Sequence, residues 1–368
     1  MHMADALLSP AVGGAMWAAT GVAVAYSARK VREDLDESKV PLMGVAGAFV
    51  FAAQMLNFTI PGTGSSGHLV GALLLAILLG PEAAFLVVAS ILAVQGLFFA
   101  DGGLLALGAN IFNMGFLTVF LAYPLVYRKI VGDGPDLSRR RVFLGSVLAG
   151  IAGLQLGAFA VVLETTASGI SELPFSTFLL LMQPIHLAIG TVEGLVTAVV
   201  VLFVYHAQPE LLARSAARRP LAGVRLKPVV IGLAVAALVA GVALSWFASS
   251  NADGLEWSIA KATGTEEELA TQSSAHETAA ELQEKTAILP DYALEEGETA
   301  GAGIEAGAQT AEREEPAGTA GDEGSAWPAV DAGTSLSGVV GALIVLAVAV
   351  ALGFALRRRS VARGAARP

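Results

Sequence analysis

The sequence predicts an all-α, polytopic membrane helix bundle, with a seven-span body followed by a two-span C-terminal hairpin. Three observations carry this. The 368 residues are 55% hydrophobic with a mean hydropathy of +0.66, too apolar for a soluble domain. Nine apolar stretches punctuate the chain, most of them near the length that a bilayer crossing requires. Charge is segregated: residues 249–336 hold nineteen of the thirty-two Asp and Glu but only three of the twenty-two Lys and Arg, and the other nineteen basic residues fall in four short clusters.

In order, the spans are expected at roughly 9–26, 40–56, 66–80, 83–100, 104–127, 142–163, 177–205, 228–248 and 337–356. The third is short and follows irregular backbone, so it is the one span whose full crossing is in question. Basic clusters follow spans 1, 5, 7 and 9: Arg29, Lys30, Arg32 and Lys39; Arg128, Lys129 and Arg139 to Arg141; Arg214, Arg218, Arg219, Arg225 and Lys227; Arg357 to Arg359, Arg363 and Arg367. If spans alternate, all four clusters lie on one side, which the positive-inside rule makes the cytoplasm. The N-terminus is then outside and the C-terminus inside. The Asn57–Gly67 loop, the Asp101–Gly103 turn, the 164–176 loop and the acidic 249–336 segment are outside as well.

The chain divides into a body of residues 1–210, a cytoplasmic linker 211–227 and a two-span segment 228–368 whose outside loop 258–336 is acidic. Residues 262–335 are mostly Ala, Gly, Glu and Thr with few large apolar side chains, and are expected to be disordered. The start, Met1-His2-Met3-Ala4-Asp5, has no basic region ahead of the first apolar run. The first helix is therefore expected to be kept and the chain start to belong to the mature protein.

Several chemistries are excluded. Without cysteine there are no disulfides, zinc-thiolate sites or Cys nucleophiles. No Gly-x-x-x-x-Gly-Lys-Ser/Thr phosphate loop occurs, so this chain binds no nucleotide in that way, and no His-Glu-x-x-His occurs. The basic clusters are juxtamembrane and lack interleaved aromatics, so nucleic acid is not a partner, whereas membrane lipid is.

The stretch Asn57 to Gly71 organises the rest. Pro61, Gly62, Gly64 and Gly67 rule out a regular helix through its middle. Irregular polar backbone at membrane depth is tolerated only when buried in protein or lining a site, and an ionisable residue there, His68, is a functional candidate. Met1 and His2 offer three further nitrogens: the α-amine, the His2 backbone nitrogen and the His2 imidazole. These can form fused chelate rings in one plane, and His68 could supply a fourth nitrogen, a set suited to Ni(II), Cu(II) or low-spin Co(II). The plainer alternative leaves His2 a surface residue and His68 a satisfied histidine at a helix start.

Gln95, Asn110 and Asn113 interrupt apolar spans, and Asp101 joins them from the turn between two spans. They either orient ligand imidazoles, with Asn57 and Ser66 as further candidates, or hold helices together by hydrogen bonds. His186, Gly190, Glu193 and Thr197 share one helical face. His186 and Glu193 either carry protons or metal, or form a polar seam. Glycines such as Gly13, Gly14, Gly21, Gly44, Gly47, Gly145, Gly150 and Gly153 make faces for close helix approach.

Met1-His2-Met3-Ala4-Asp5-Ala6-Leu7-Leu8-Ser9-Pro10 resembles the start of the CbiM/NikM family. So do Asn57-Phe58 through Gly67-His68-Leu69-Val70-Gly71, the run Leu79 to Ala84, the run Gln95 to Gly103, the run Ala106 to Gly115, and the His186…Glu193-Gly194 motif. The resemblance covers about residues 1–205. Asn251 to Glu256 is similar to the Pro-Asp-Gly-Leu-Glu motif of the two-span CbiN/NikN companion, here carried by Asp253, Gly254, Leu255 and Glu256 and fused behind the body. Two departures stand out: Ala4-Asp5-Ala6 replaces the family's usual Pro-Asp-Gly, and Ala252 replaces the companion's Pro.

The resemblance implies a substrate-binding component of an energy-coupling factor transporter in a prokaryotic inner cell membrane, not an enzyme. Ni2+ or Co2+ is its transported substrate, held by the Met1 amine, the His2 nitrogens and His68. It implies a transmembrane coupling partner of the CbiQ/NikQ type and two cytoplasmic ATPases of the CbiO/NikO type, with tilting of the loaded component in the membrane. It also implies that the 251–257 hairpin assists loading at the outer site. The alternative of another class is a membrane-embedded metalloenzyme using His68, His186 and Glu193. A self-sufficient channel is a third.

Overall fold

In a computed structural model, residues 1–34, 38–132, 137–171, 173–264, 273–293, 328 and 332–365 are described. Long apolar runs set off by Gly, Pro and charge become helices: α1 (Pro10–Asp34), α2 (Lys39–Gln54), α3 (Ala72–Leu79) and α4 (Pro81–Phe98). They continue as α5 (Leu107–Val131), α6 (Arg139–Ser168), α7 (Phe175–Ala207), α8 (Pro209–Ala216) and α9 (Lys227–Val242). The C-terminal part adds α10 (Gly254–Thr263), α11 (Ser274–Thr286) and α12 (Ala332–Ala365). Among the described residues, six of these helices are long and apolar enough to cross a membrane, and α2 and α9 are shorter apolar helices of 16 residues each.

The outward faces of the long helices are apolar, with Leu180, Val199, Leu238 and Leu343 all more than half exposed, while the buried positions include Gln95, Asn113, His186 and Glu193. That inversion of soluble patterning marks a multi-pass membrane protein.

The third expected span is corrected. Its helix runs only Ala72–Leu79, about 12 Å of rise, and residues 66–71 are not helical. Instead β1 (Phe58–Ile60) and β2 (Ser65–Gly67) form a small antiparallel hairpin, with Phe58 opposite Gly67 and Ile60 opposite Ser65. His68 therefore lies on loop backbone four residues before α3, not at a helix start. Every residue of α3 is buried, so it is a core element enclosed by the other helices. Gly80 closes it with φ of 81°, and Pro81 opens α4 at a position where a missing N–H costs nothing.

The α3–α4 turn packs against the region following α7. The Ile77 carbonyl accepts from Ser215 Oγ at 2.9 Å, and Glu82 pairs with Arg218 at 3.1 Å. Arg139, at the start of α6, stands 2.7 Å from His206 at the end of α7. The third basic cluster therefore gathers with the start of α4 and the α6–α7 ends at the end of the bundle away from the β-hairpin.

Small residues set the closest crossings. A Cβ at Gly150 of α6 would stand 2.8 Å from the Gly190 carbonyl oxygen of α7, and one at Gly44 of α2 would stand 2.6 Å from Val350 of α12. By such contacts α9 and α12 lie directly on α2. The two-span segment is packed into the body.

The expectation of disorder across 262–335 is corrected where the chain is described. Residues 274–286 form α11, whose first buried anchor is the polar His276, 1% exposed, followed by a tight turn at Pro290–Tyr292. The remainder of that expectation, 265–272 and 294–331 apart from Pro328, lies outside the described residues.

Candidate metal centre

The β-hairpin, the chain start, the α4–α5 connection and the start of α10 meet at one end of the bundle. They line a cleft of about 780 Å³ whose wall includes His2, His68, Asp101, Asp253, Glu256 and Tyr292. Each side of it is held by identifiable bonds.

The chain start enters as an extended strand. Asn110 grips it at both polar backbone atoms of one residue, accepting from Met3 N–H at 2.8 Å and donating to the Met3 carbonyl at 3.2 Å. Gly103 N–H donates to the same carbonyl at 2.9 Å, and Asp5 accepts from Ala106 N–H at 2.9 Å. Asn113 donates to Glu164 at 2.7 Å and touches the Met3 sulfur. The bonds of both asparagines go to the chain start and to Glu164, in keeping with the hydrogen-bonding alternative: they fix the strand carrying Met1 and His2.

The loop is fixed from the opposite side. Glu193 on α7 accepts from Val70 N–H at 2.8 Å with one carboxylate oxygen and from Gly71 N–H at 2.9 Å with the other. Gly71 has φ of 72°, and a Cβ there would meet Val50, so only glycine lets the chain turn into α3 at this point. Gln54 donates to the Val70 carbonyl at 2.8 Å and accepts from Gln95 at 2.9 Å. Ser66 donates to the Asn251 carbonyl at 2.8 Å while its own N–H donates to Ala252. The Asn57 carbonyl accepts from Ser249 N–H. Ser66 and Asn57 thus tie the hairpin to the fused segment and do not touch an imidazole.

The fused segment contributes directly. Asp253 opens α10 as a capping box: its side chain accepts from Leu255 and Glu256 N–H at 2.7 and 2.9 Å, and Glu256 accepts from Asp253 N–H. Its other carboxylate oxygen stands 3.1 Å from the Met1 ammonium. Leu255 is buried, and Gly254 lies so close to Ile185 that a Cβ would clash.

Within this frame the predicted nitrogens come together without converging on a point. The His2 and His68 rings stack at 5.0 Å with 15° between their planes. His2 Nδ1 donates to Asp101 at 3.1 Å, leaving His2 Nε2 without a partner. His68 Nδ1 donates to the Leu69 carbonyl at 3.0 Å, which leaves the lone pair on Nε2. Among the described residues no three His, Asp or Glu side chains stand close enough to grip an ion.

Burial lowers the His2 pKa, and Asp101 opposes that. Burial, the Met1 ammonium and His2 together push His68 down to about 3, so both rings are neutral at physiological pH. Burial works to raise Asp253, but the Met1 ammonium and the Glu256 N–H outweigh it and hold the carboxyl well below the usual range.

His186 is fully buried, with Nδ1 donating to the Met182 carbonyl at 2.7 Å and Nε2 unpartnered. It lines a one-water-sized void together with Met1, His68 and Asp253. Glu193, by contrast, is committed to the loop.

Sequence reasoning missed Gln54, Glu164, His276, Gln283 and Tyr292. From α11, His276 Nε2 donates to the Asp5 and Leu8 carbonyls at 3.1 and 2.9 Å, and Gln283 donates to Gly96 and Gly102 at 2.8 and 2.7 Å. Tyr292 donates to Asp101 at 2.6 Å while its ring stacks on Phe99 at 4.8 Å. A low-complexity reading of 262–335 hid these, although His276 and Tyr292 are among its few large side chains.

Fold and site define a polytopic helical membrane protein with a cleft lined by imidazoles and carboxylates at one end. Residues 2–211 match the family described as the cobalt uptake substrate-specific transmembrane region, and residues 227–358 match the PDGLE domain. The chain belongs to that cobalt uptake family, with the PDGLE domain fused behind it.

A fused NikMN chain of Archaeoglobus fulgidus is 33% identical over 97% of this chain and 98% of its own length. The fused nickel transport protein NikMN of Rhodobacter capsulatus is 36% identical over 58% of this chain and 64% of its own. The cobalt transport protein CbiM of Sorangium cellulosum is 32% identical over 58% and 95%. A crystal structure described as a truncated transition metal transporter superposes with a TM-score of 0.50 at 33% identity, covering 56% of this chain and 99% of that one.

Proposed function

We propose that this chain captures Ni2+ or Co2+ as the substrate-specific membrane component of an ATP-driven energy-coupling factor importer. The observation that carries the reading is the gathering of the Met1 amine, His2 and His68 at one wall of an acidic cleft. Relatives named as nickel and cobalt transport proteins support the substrate class.

Capture requires small, local changes. The incoming cation takes His2 Nδ1 from Asp101, so the ring proton must sit on Nε2. Gln95, which bears on the His2 imidazole and whose Oε1 has no partner, is placed to accept it. The Met1 amine exchanges Asp253 for the ion and gives up a proton, as does the His2 backbone nitrogen. His68 Nε2, its tautomer already fixed by the Leu69 carbonyl, supplies the fourth nitrogen. Four nitrogens in a plane select Ni2+ and low-spin Co2+ over Mg2+ and Ca2+. Asp253 stays beside the ion and balances its charge.

Energy comes from partners, since this sequence has no phosphate loop: a coupling subunit of the CbiQ/NikQ type and two ATPases of the CbiO/NikO type. The positive-inside rule puts the basic clusters in the cytoplasm and the cleft outside, in a prokaryotic inner membrane. Residues 1–210 then form the capturing domain and 228–368 the companion.

The competing enzyme reading needs Glu193 as a free acid or base, and both its oxygens are occupied by Val70 and Gly71 N–H. The test is to acetylate the Met1 amine or extend the chain upstream of it, then add Ni2+. Loss of the visible band of planar nitrogen coordination is expected. An undiminished band overturns the reading.

A further inference from the structure

We propose that His186 is an inner ligand station for the same ion, the first new nitrogen it meets on leaving the capture set. This rests on the capture reading above and extends it toward release. His186 lies on α7, within a helix that crosses the bundle, and is 0% exposed. Its tautomer is fixed: the Met182 carbonyl accepts from Nδ1 at 2.7 Å, so Nε2 carries the lone pair. That nitrogen has no hydrogen-bond partner. An unpaired buried nitrogen is costly, and native proteins rarely keep one without a use or a bound species.

The side chain lines a void of about 10 Å³ together with His68 and Asp253, and with Met1, Leu154 and Ile189 among its other walls. That is the space of one water-sized body. His68 and Asp253 line both this void and the outer cleft. They are therefore shared between an outer position, where the Met1 and His2 nitrogens complete the set, and an inner one, where His186 does. In this structure the three side chains stand back from liganding distance, so the inner site closes only around an ion.

The chemistry of the two positions differs in the direction that release requires. The outer set is four nitrogens, one of them a deprotonated backbone nitrogen, and it holds a planar ion tightly. The inner set is two imidazoles and a carboxylate, a mixed nitrogen and oxygen site with no deprotonated amide, which holds a first-row divalent ion less rigidly. Moving inward breaks the bonds to the Met1 amine and the two His2 nitrogens, keeps the one to His68, and forms one to His186 Nε2 and one to an Asp253 carboxylate oxygen. The metal keeps its charge and no electrons are exchanged. The His2 backbone nitrogen and the amine each recover a proton from water in the cleft. The ion thus never leaves all of its ligands at once.

The experiment uses the full chain assembled with its coupling and ATPase subunits in lipid, with Ni2+ as the probe. His186→Gln keeps a polar side chain of similar reach but no imidazole, and His186→Ala removes the group. Expected is an unchanged planar-nitrogen band in both variants, with ATP-driven uptake lowered about tenfold or more. X-ray absorption of the wild-type chain stalled without ATP hydrolysis, loaded with Co2+, is expected to show a fraction of ions in mixed nitrogen and oxygen coordination that His186→Gln abolishes. Wild-type uptake in His186→Gln overturns the proposal and leaves capture standing, as does a void that holds water only in the loaded chain. Loss of the planar band in both variants also overturns it, because His186 then serves capture or folding. An intact planar band in His68→Ala instead overturns the capture reading on which it rests.

Discussion

The Met1 ammonium and the Asp253 carboxylate meet at 3.1 Å across a separation of 252 residues. The pair joins the first atom of the body to the first turn of α10 in the fused segment, and both side chains are largely removed from solvent. Asp253 thereby does two jobs with its two oxygens: one caps α10, the other neutralises the Met1 amine.

These jobs separate by substitution. Asn caps a helix as well as Asp does, so Asp253→Asn removes only the charge and leaves a buried ammonium without its partner. A loss of about 3 kcal/mol is expected. Asp253→Ala removes the cap as well and is expected to cost about 1 kcal/mol more. Denaturant unfolding of the full chain in micelles measures both. Equal losses would show that the cap contributes nothing here.

Glu193 is expected to act on the proposed metal site from a distance. Glu193→Ala leaves Val70 and Gly71 N–H buried without acceptors, at about 1–3 kcal/mol each. The loop bearing His68 then loosens, and Ni2+ affinity falls together with stability. Glu193→Gln retains one carbonyl acceptor and is expected to lie between. Hydrogen exchange at the Val70 and Gly71 amides reads the cause directly, and unchanged protection in Glu193→Ala would disprove it.

The depressed imidazoles set an acid limit. His68 is ordinarily half-protonated near 6.5 and here titrates near 3, so above about 6.5 the folded and unfolded chains bind the same number of protons on it. As pH falls below 6.5 the unfolded state takes up a proton that the folded state refuses. Stability is therefore lost from pH 6.5 downward, by at most about 1.4 kcal/mol per pH unit for this group, until the folded form titrates near 3. His68→Ala is expected to flatten the fall in melting temperature between pH 6.5 and 4. An identical slope would assign the acid sensitivity to other groups.

The bundle was legible because apolar length and basic clusters are local signals. The candidate nitrogens could be picked out because Met1, His2 and His68 lie in distinctive motifs, and the structure brings these three residues to one end of the bundle. What composition could not supply was the partner of each polar group. Asn110 and Asn113 read equally well as ring-orienting or bundle-holding residues, and their true partners, Met3 and Glu164, depend on how an extended N-terminal strand threads between helices. Likewise Glu193 offered no sequence sign that it would cap a loop more than a hundred residues away. The short third span failed for a different reason: apolarity continues through Leu69 and Val70, but Glu193 and the left-handed Gly71 hold the backbone out of helix until Ala72. Residues 273–293 were misjudged because three or four anchors docking on a preformed surface do not register in an average over a long polar segment.

That docked arm gives the last prediction. It lines the cleft, held by His276 to the Asp5 and Leu8 carbonyls, Gln283 to the Gly96 and Gly102 carbonyls, Tyr292 to Asp101, and backbone N–H groups of Ile288, Leu289 and Asp291 donating to the Phe98 and Phe99 carbonyls. Asp101 is the group that occupies His2 Nδ1, so the arm both lines the cleft and steadies the carboxylate that, on the proposed capture, the ion displaces. Tyr292→Phe keeps the ring on Phe99 and deletes only the hydroxyl, a hydrogen bond to a carboxylate worth about 1.5–3 kcal/mol. Each 1.4 kcal/mol raises the share of chains with the arm lifted about tenfold. Stopped-flow mixing of the full chain with Ni2+ is expected to show association about tenfold faster in Tyr292→Phe, together with faster proteolysis within 273–293. If proteolysis quickens while association does not, the arm lifts without standing in the path of the metal, and its role is confined to holding the N-terminal strand.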